Sequence, residues 1–219
     1  AATPADLYLF GALVERDGKV TGELHEELPA DLPTHTKDAP QLFFGVMAPW
    51  NRAYRRTLFT EGGIRFATKV WYEDIRIVTK VLALAEQVVR LPGAYYHYLQ
   101  REGSAMNNKN CARNVEILYA FDDILGWFGE HGLREAYRDE LTFLAISHLL
   151  IAASVRVARI DCKSELLGQF RDYMEKNFPD FRENRYLPRL DRNKCLVYRL
   201  LLKRRYRVVR LLFRIKDGR

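Results

Sequence analysis

In the first hundred residues, apolar positions occur in short alternating runs separated by turn residues. Residues 5–25 alternate weakly between apolar and polar side chains on either side of Asp17-Gly18. An Asp-Gly pair between two extended runs predicts a β-hairpin. Residues 28–40 contain three prolines and no periodicity, which predicts a loop. The aromatic run 94–100 is β-prone and predicts a further strand.

Two other segments of the first half have features of helices. From Glu73 to Arg90 the apolar residues fall on one helical face, and Pro92-Gly93 ends the segment. A short helix is predicted over 51–59, stopped by Gly62-Gly63. Strands together with a helix are therefore expected up to about residue 105.

After that point the pattern is helical only. Two long periodic segments are divided at Gly132, and a third covers 163–178. The longest uncharged apolar stretch, Leu141 to Val155, has about 15 residues, whereas a membrane-spanning helix needs about 20. A buried core helix is therefore predicted there.

Charge is distributed unevenly over the 219 residues. The net charge is +7, but residues 189–219 hold twelve Lys/Arg against two Asp, a balance of +10 that leaves −3 for the first 188 residues. On a helical wheel the basic residues of 189–219 gather opposite the apolar ones, interrupted by Arg204 and Arg205. A basic amphipathic helix is predicted, which either docks on an anionic membrane surface or packs on the protein with its basic face solvated. The segment has no recognised nucleic-acid motif, so nucleic acid is not expected as a partner.

Cysteine usage fits a reducing compartment. Cys111, Cys162 and Cys195 are far apart and include no CxxC pair. This spacing argues against a disulfide framework and against a zinc site.

The pair Glu73-Asp74 has two interpretations. Carboxylates in the first turn of a helix interact favourably with the positive end of the helix dipole, so the pair can simply start the helix. Alternatively, Asp74, next to Trp71 and Tyr72, takes a proton from a hydroxyl group, which requires reach and a suitable pKa. Aromatic side chains bind the flat faces of sugars, and Trp50 with the tyrosines of 95–98 are candidates for that task, although large aromatic residues more often belong to a core.

Several short motifs follow one another in a fixed order across about half of the chain. They are Trp50-Asn51-Arg52-Ala53-Tyr54-Arg55, Arg65-Phe66, Glu73-Asp74, Tyr96-His97-Tyr98 and Arg101-Glu102-Gly103-Ser104. In order and spacing this set resembles the second half of bacterial family 2 glycosyltransferases with the GT-A fold. The resemblance implies an α/β fold: the acceptor-binding half of a GT-A (nucleotide-diphospho-sugar transferase-like) domain over 1–108. An all-α extension over 109–188 and the basic amphipathic helix over 189–219 would follow.

The resemblance also implies the chemistry. Asp74 would be the catalytic base of an inverting transferase, deprotonating the acceptor hydroxyl that attacks the anomeric carbon of a nucleotide-activated sugar. Glu73 would orient the acceptor or the base. The acceptor site would be formed by Trp50, Asn51, Tyr96 and Tyr98.

A second group of residues would lie where the family's mobile C-terminal loop approaches the diphosphate. They are Arg101, Ser104 and His97, of which the arginine would stabilise the departing charge. A histidine in an aromatic strand is more often a hydrogen-bonded core residue, so His97 has that second interpretation.

The chain departs from the family pattern at two places. Leu99 stands where the family often has an arginine, so one phosphate contact is missing or moved. No Asp-x-Asp occurs in the sequence; with that motif the family holds Mg²⁺ or Mn²⁺ on the diphosphate of the donor. We therefore expect no metal site in this chain, a nucleotide-binding half upstream in a longer enzyme, and no activity of the chain alone.

The leading prediction is the C-terminal portion of a bacterial glycosyltransferase that transfers sugar from a nucleotide-sugar donor to a glycan or lipid-linked acceptor in cell-surface polysaccharide biosynthesis. Its expected location is cytoplasmic, peripheral at the inner face of the plasma membrane. The alternative is a non-catalytic membrane- or protein-interaction module, in which the acidic pair only starts a helix and the basic tail binds a membrane or a partner.

Overall fold

The computed structural model describes residues 4–100 and 112–217 of the chain. These residues form two compact units, which we call the sheet unit (4–100 with 126–133) and the helical unit (112–125 with 134–217). The sheet unit is mixed α/β, whereas the helical unit contains helices and turns. The predicted α/β class is therefore confirmed.

Five strands form the sheet. They are β1 (Leu7–Arg16), β2 (Lys19–Leu24), β3 (Pro33–His35), β4 (Arg52–Tyr54) and β5 (Gln87–Leu99). Strand β1 pairs with β2 and β4 in antiparallel fashion and with β5 in parallel, while β3 pairs antiparallel with β5. Leu7 and Leu9 on β1 and Val88 and Val89 on β5 are buried, so the β1–β5 pair lies at the centre of the core.

The predicted hairpin is confirmed. Asp17 and Gly18 have φ angles of 51° and 73°, and Arg16 is paired with Lys19 across the turn. Two consecutive left-handed residues are the signature of the two-residue turn whose twist matches that of the adjoining strands.

Helix α2 (Glu73–Leu84) is shorter than predicted, and its extension to Arg90 is wrong. One carboxylate oxygen of Asp6 accepts hydrogen bonds from the backbone amides of Glu86 (3.1 Å) and Gln87 (3.0 Å). The chain then enters β5, where the β-branched Val88 and Val89 pair with β1. Strand pairing with a distant segment therefore overrides the helical periodicity.

The short helix predicted over 51–59 is also largely wrong. This segment contains the end of a 3₁₀ turn (Pro49–Asn51), strand β4 and a single helical turn, α1 (Thr57–Thr60). The loop predicted over 28–40 contains β3 and the 3₁₀ turn Thr36–Asp38, and a second 3₁₀ turn, Pro40–Phe43, begins at its end. Pairing of these short strands with β1 and β5 was not visible in the local pattern.

Six helices are described in the second half of the chain, after the 3₁₀ turn Ala112–Val115. They are α3 (Glu116–Glu130), α4 (Arg138–Ala145), α5 (Ser154–Ile160), α6 (Leu166–Asn177), α7 (Arg192–Leu202) and α8 (Tyr206–Asp217), with 3₁₀ turns at Phe181–Glu183 and Leu187–Arg189 between α6 and α7. Gly132, with a φ of 66°, follows α3 at the predicted division.

Helices α4 and α5 are joined by a π-helical segment, Ile146–Ala153, into one continuous run. By length and composition alone, the run Arg138–Ile160 could cross a membrane, but 72% of its most apolar window is buried inside the protein. This run is buried to the extent expected of a core helix, which is what its length predicted. Within this segment, burial and the charges of Lys194 and Arg156 lower the pKa of His148 to about 4.

The single helix predicted over 189–219 is divided in two. Helix α7 ends at Leu202 and α8 begins at Tyr206, with Arg204 at a φ of 53° between them. A left-handed residue ends an α-helix, because the next amide turns back to carbonyls of the last turn. Arg204 and Arg205, which interrupted the apolar side of the helical wheel, are the residues of this turn.

A buried ion pair holds the segment that leads into β4. Arg52 Nη2 lies 2.8 Å from Glu26 Oε1, and the two side chains are only 1% and 2% exposed. Arg52 also donates to the carbonyl oxygens of Ala48 (3.0 Å) and Val46, and the Val46 amide donates to Glu26 Oε2 (3.3 Å). These contacts fix the segment 46–52 against the side chain of Glu26.

Gly45 makes room for this ion pair. A Cβ atom at position 45 would lie 2.0 Å from Glu26 Oε2, much closer than any real contact. Burial raises the pKa of Glu26 above its usual value, although the charge of Arg52 opposes this effect. The carboxylate therefore depends on Arg52 for its charged state.

We predict that Arg52→Ala destabilises the sheet unit by about 3–5 kcal/mol, because it leaves the Glu26 carboxylate buried without its counter-ion. Urea unfolding followed by tryptophan fluorescence measures the loss. Trp50, Trp71 and Trp127 all belong to the sheet unit, so the signal reports on this unit.

Arg55→Ala is the matched control. Arg55 forms an ion pair with Asp6 (3.0 Å) in the same unit, but its side chain is 53% exposed, so its loss should cost less than about 1 kcal/mol. Equal losses in the two variants would show that the buried pair has no special role.

Candidate active site

An aromatic stack forms on one face of β5. The Trp50 indole stacks on Tyr96, with ring centroids 4.6 Å apart and planes at 19°, and on Tyr98, at 4.9 Å and 9°. Tyr96 and Tyr98 are two residues apart on the strand and so point to the same side of the sheet. The stack is partly exposed, with Tyr96 at 38%. Three of the predicted acceptor residues are thereby brought together at a surface that a ligand can reach.

The turn that carries Trp50 also packs against α2, the helix that begins with the acidic pair. The 3₁₀ turn Pro49–Asn51, which carries Trp50, packs against β1, β5 and α2. Glu73 and Asp74 are the first two residues of α2; Glu73 is exposed and Asp74 is partly buried. An aromatic surface and a carboxylate pair are therefore held on neighbouring elements of one unit.

The backbone that leads into the acidic pair is strained. Tyr72 occupies the N-cap position of α2 with a φ of 66°, in the left-handed region. For a residue with a side chain this conformation costs roughly 1–2 kcal/mol, and such strain concentrates at functional sites. Asp74 Oδ1 accepts a hydrogen bond from the Ile75 amide (2.7 Å), so its carboxylate lies at the positive end of the helix. This geometry is compatible with both interpretations of the pair.

Asn51 lies in the interior instead of on the aromatic surface. The residue is fully buried, and among the described residues neither atom of its carboxamide has a partner with hydrogen-bond geometry. The carboxamide is nevertheless close enough to Glu26 to help lower the pKa of that carboxyl group against the effect of burial. Asn51 is thus part of the polar cluster around the Glu26–Arg52 pair, beneath the turn that carries Trp50.

His97 is separated from the stack. It alternates with Tyr96 and Tyr98 along β5 and so points to the opposite face of the sheet. Its Nδ1 lies 3.1 Å from Glu15 Oε2, and its side chain is 59% exposed. His97 is therefore neither a core residue nor a neighbour of the aromatic stack.

The two remaining predicted residues, Arg101 and Ser104, lie outside the described residues. Leu99, where the family often has an arginine, is the last residue of β5 and is 47% exposed.

The described residues show no site for the divalent metal that the resemblance implies for the full-length enzyme. Within residues 4–100 and 112–217, no group of three His, Cys, Asp or Glu side chains is arranged to hold a metal ion.

A separate groove of about 730 Å³ is lined by residues of the helical unit only. Its polar lining includes the ion pair Arg138–Asp180 and the carboxamide of Asn184, which donates to the Asp139 carbonyl oxygen (2.9 Å). These groups satisfy one another, and the chemistry expected from the sequence motifs lies in the sheet unit. We therefore place the candidate site at the aromatic stack.

Comparisons with known proteins give a loose structural similarity. The chain is similar to two crystal structures of residues 1–349 of S. aureus TarS. The structure in complex with UDP-GlcNAc has a TM-score of 0.40 and 17% identity over 82% of this chain and 59% of that one. The second has a TM-score of 0.37 and 16% identity over 82% and 57%. The chain thus spans less than two thirds of the TarS structures, and superpositions this loose do not establish a common function. The chain matches no protein-family model and no curated protein.

Three residues that organise the site had no signal in the sequence. Glu26 and Gly45 hold Arg52 in place, but their importance depends on a contact between segments about twenty residues apart. Tyr72 adopts a left-handed conformation that is usual for glycine. A tyrosine in the sequence gives no indication of this conformation. Asn51 and Arg52 were visible as part of a motif, but their burial was not.

We predict a coupling free energy of about 0.5–1.5 kcal/mol between Trp50 and Tyr98, the usual value of an aromatic pair beyond its buried area. A double-mutant cycle of Trp50→Ala and Tyr98→Ala measures it in urea unfolding. Trp71 and Trp127 remain as fluorescence reporters of the sheet unit in every variant.

Tyr95 provides the control for this cycle. Its ring is 62% exposed and contacts Phe10 edge-on, with centroids 6.0 Å apart. The cycle of Trp50→Ala and Tyr95→Ala should therefore give no coupling beyond error. Equal coupling in both cycles would mean that the stack does not exist in solution.

Proposed function

We propose that the chain is the acceptor-binding portion of a glycosyltransferase that uses a nucleotide-sugar donor. The observation that carries the proposal is the arrangement of Trp50, Tyr96 and Tyr98 on a turn and a strand that stack together, with the turn packed against α2, whose first turn contains Glu73 and Asp74. Aromatic faces bind the C–H faces of a sugar, and a carboxylate activates one of its hydroxyl groups.

In the proposed reaction Asp74 is the base. Its carboxylate takes the proton from an acceptor hydroxyl as the oxygen attacks the anomeric carbon of the donor. The new carbon–oxygen bond forms on the face opposite the leaving group, the bond to the nucleoside diphosphate breaks, and the configuration at that carbon is inverted. Glu73, which is exposed beside Asp74, orients the acceptor by hydrogen bonding.

The geometry of the base supports this assignment. A base on the first turn of a helix is held rigidly, and the Ile75 amide fixes one oxygen of Asp74 (2.7 Å). The strained Tyr72 backbone directs the start of the helix, and such strain persists where the surrounding structure determines it. Arg101 and Ser104 belong to the proposal as groups that stabilise the diphosphate, and His97 is retained there as a weaker candidate.

The donor-binding half and its Mg²⁺ or Mn²⁺ belong to the proposal as parts of a longer enzyme. When bound, the metal would neutralise charge on the diphosphate of the donor. We further propose that the acceptor is a cell-surface glycan or a lipid-linked glycan, and that transfer takes place on the cytoplasmic side of the membrane.

The test is Asp74→Asn in a polypeptide that joins this chain to a nucleotide-binding half, assayed with Mn²⁺ and a panel of sugar nucleotides. Transfer should fall by about three orders of magnitude, within the range that general-base catalysis contributes. The free energy of unfolding should change by less than about 1 kcal/mol, the value of one charge at a helix end.

Glu73→Gln is the matched control, since it removes the neighbouring charge from the same turn. Its transfer rate should fall less than that of Asp74→Asn. If Asp74→Asn keeps full activity, Asp74 only starts the helix and the base lies elsewhere. If no donor is turned over by the wild-type protein, the interaction-module interpretation is favoured instead.

A further inference from the structure

Helix α8 has an apolar face that points away from the protein. Four aliphatic residues, Val208, Leu211, Leu212 and Ile215, are 37–57% exposed. At 100° per residue they occupy a sector of about 100° on the helix. We call this set the α8 ridge. Single exposed apolar residues are common, but four on one helical face form a patch that needs a partner.

The ridge is not the side by which α8 packs on the helical unit. Val209, on a different face, is fully buried, and α8 contacts both α5 and α7. The Arg159 guanidinium lies over the Phe213 ring, 5.6 Å from its centroid, and Arg210 Nη1 approaches Cys162 Sγ at 3.9 Å. Packing of α8 therefore uses its inner face and leaves the ridge outside.

Basic residues border the ridge along one side. Arg207 and Arg214 are exposed and stand next to Leu211 in the helical projection. The turn before α8 adds three more exposed cations, Lys203, Arg204 and Arg205. No Asp or Glu lies between residues 192 and 216 to oppose them. An apolar ridge bordered by cations matches a surface that is apolar inside and anionic outside.

We propose that the α8 ridge is a docking surface for an anionic lipid bilayer. The four aliphatic side chains enter the boundary between headgroups and acyl chains, and Arg207, Arg214 and the cations of 203–205 bind lipid phosphates. The helix lies along the membrane surface without crossing it. This proposal does not depend on the reaction proposed for the sheet unit.

Other partners fit the ridge less well. A helix that is only solvated on its outer face would carry polar residues there, whereas α8 has Leu211 and Ile215. Nucleic acid offers phosphates to the arginines, but it offers no aliphatic surface to the ridge. A second copy of the chain could cover the apolar residues, but it would bring the same cations against one another.

Vesicle flotation of the whole chain tests the proposal. Vesicles of phosphatidylcholine alone are compared with vesicles that contain roughly one-third phosphatidylglycerol. The wild-type chain should float with the anionic vesicles. In the presence of the neutral vesicles it should stay at the bottom of the gradient. Leu211→Ser with Ile215→Ser should lower the partition coefficient at least about tenfold, because the two side chains supply half of the apolar ridge.

Two matched controls separate this effect from general changes in the surface. Val20→Ser with Leu32→Ser removes two aliphatic residues of the sheet unit that are 56% and 57% exposed, close to Ile215 (53%) and Leu211 (57%). This variant should float like the wild type. Because all four positions are exposed, both variants should keep the wild-type circular dichroism spectrum.

The charge contribution is tested with Arg207→Gln and Arg214→Gln together. Each arginine near an anionic surface is worth about fivefold in partition, so the loss of both should lower the partition coefficient about 30-fold. Lys19→Gln with Lys37→Gln, two exposed cations of the sheet unit, should have little effect.

Three results would overturn the proposal. The first is a wild-type chain that does not float with anionic vesicles. The second is flotation that is unchanged in the Leu211/Ile215 variant. The third is a wild-type dimer in sedimentation that the same variant dissociates, which would assign the ridge to a second copy of the chain.

Discussion

The Glu26–Arg52 ion pair is the interaction on which the organisation of the sheet unit depends. Both side chains are almost completely buried, so each charge is stable there only while the other is present. Arg52 also binds the carbonyl oxygens of Val46 and Ala48 and thereby fixes the segment that enters β4. Directly before Arg52 stand Trp50 and Asn51, one at the surface and one buried. A polar interior contact thus determines where the aromatic surface residue is held.

This arrangement gives the site its rigidity. The turn that carries Trp50 adjoins the buried ion pair and packs against β5 and α2. The tyrosines come from β5, a strand of thirteen residues that pairs with β1 on one side and with the short β3 on the other. The carboxylates come from α2, whose inner face contains Ile75, Val78 and Leu82, all buried. Every proposed acceptor group therefore belongs to an element that is fixed in the core, as positioning of a reacting hydroxyl requires.

Local patterns predicted those features that depend on neighbouring residues. Asp17-Gly18 indicated the hairpin because both residues accept left-handed angles, and Gly132 indicated the end of α3 for the same reason. The ordered motifs brought Trp50, Tyr96, Tyr98 and the Glu73-Asp74 pair into one hypothesis, and the structure holds them in one unit. Predictions were wrong where distant contacts decide the conformation: Asp6 ends α2 early by binding two amides, and β4 forms only because β1 is beside it. The buried state of Asn51 and the strain at Tyr72 have no local signal, and the division of the basic tail depends on one left-handed arginine.

The central claim is that the aromatic stack and the start of α2 bind a glycan acceptor. The most direct measurement is the two-dimensional amide NMR spectrum of the ¹⁵N-labelled chain during titration with a panel of mono- and oligosaccharides. We predict that a sugar which binds shifts the Trp50 indole signal and the amide signals of Tyr96, Tyr98 and Asp74, and leaves the signals of the helical unit in place. Shifts confined to the helical unit, or a Trp50 signal unchanged by every sugar in the panel, would contradict the account.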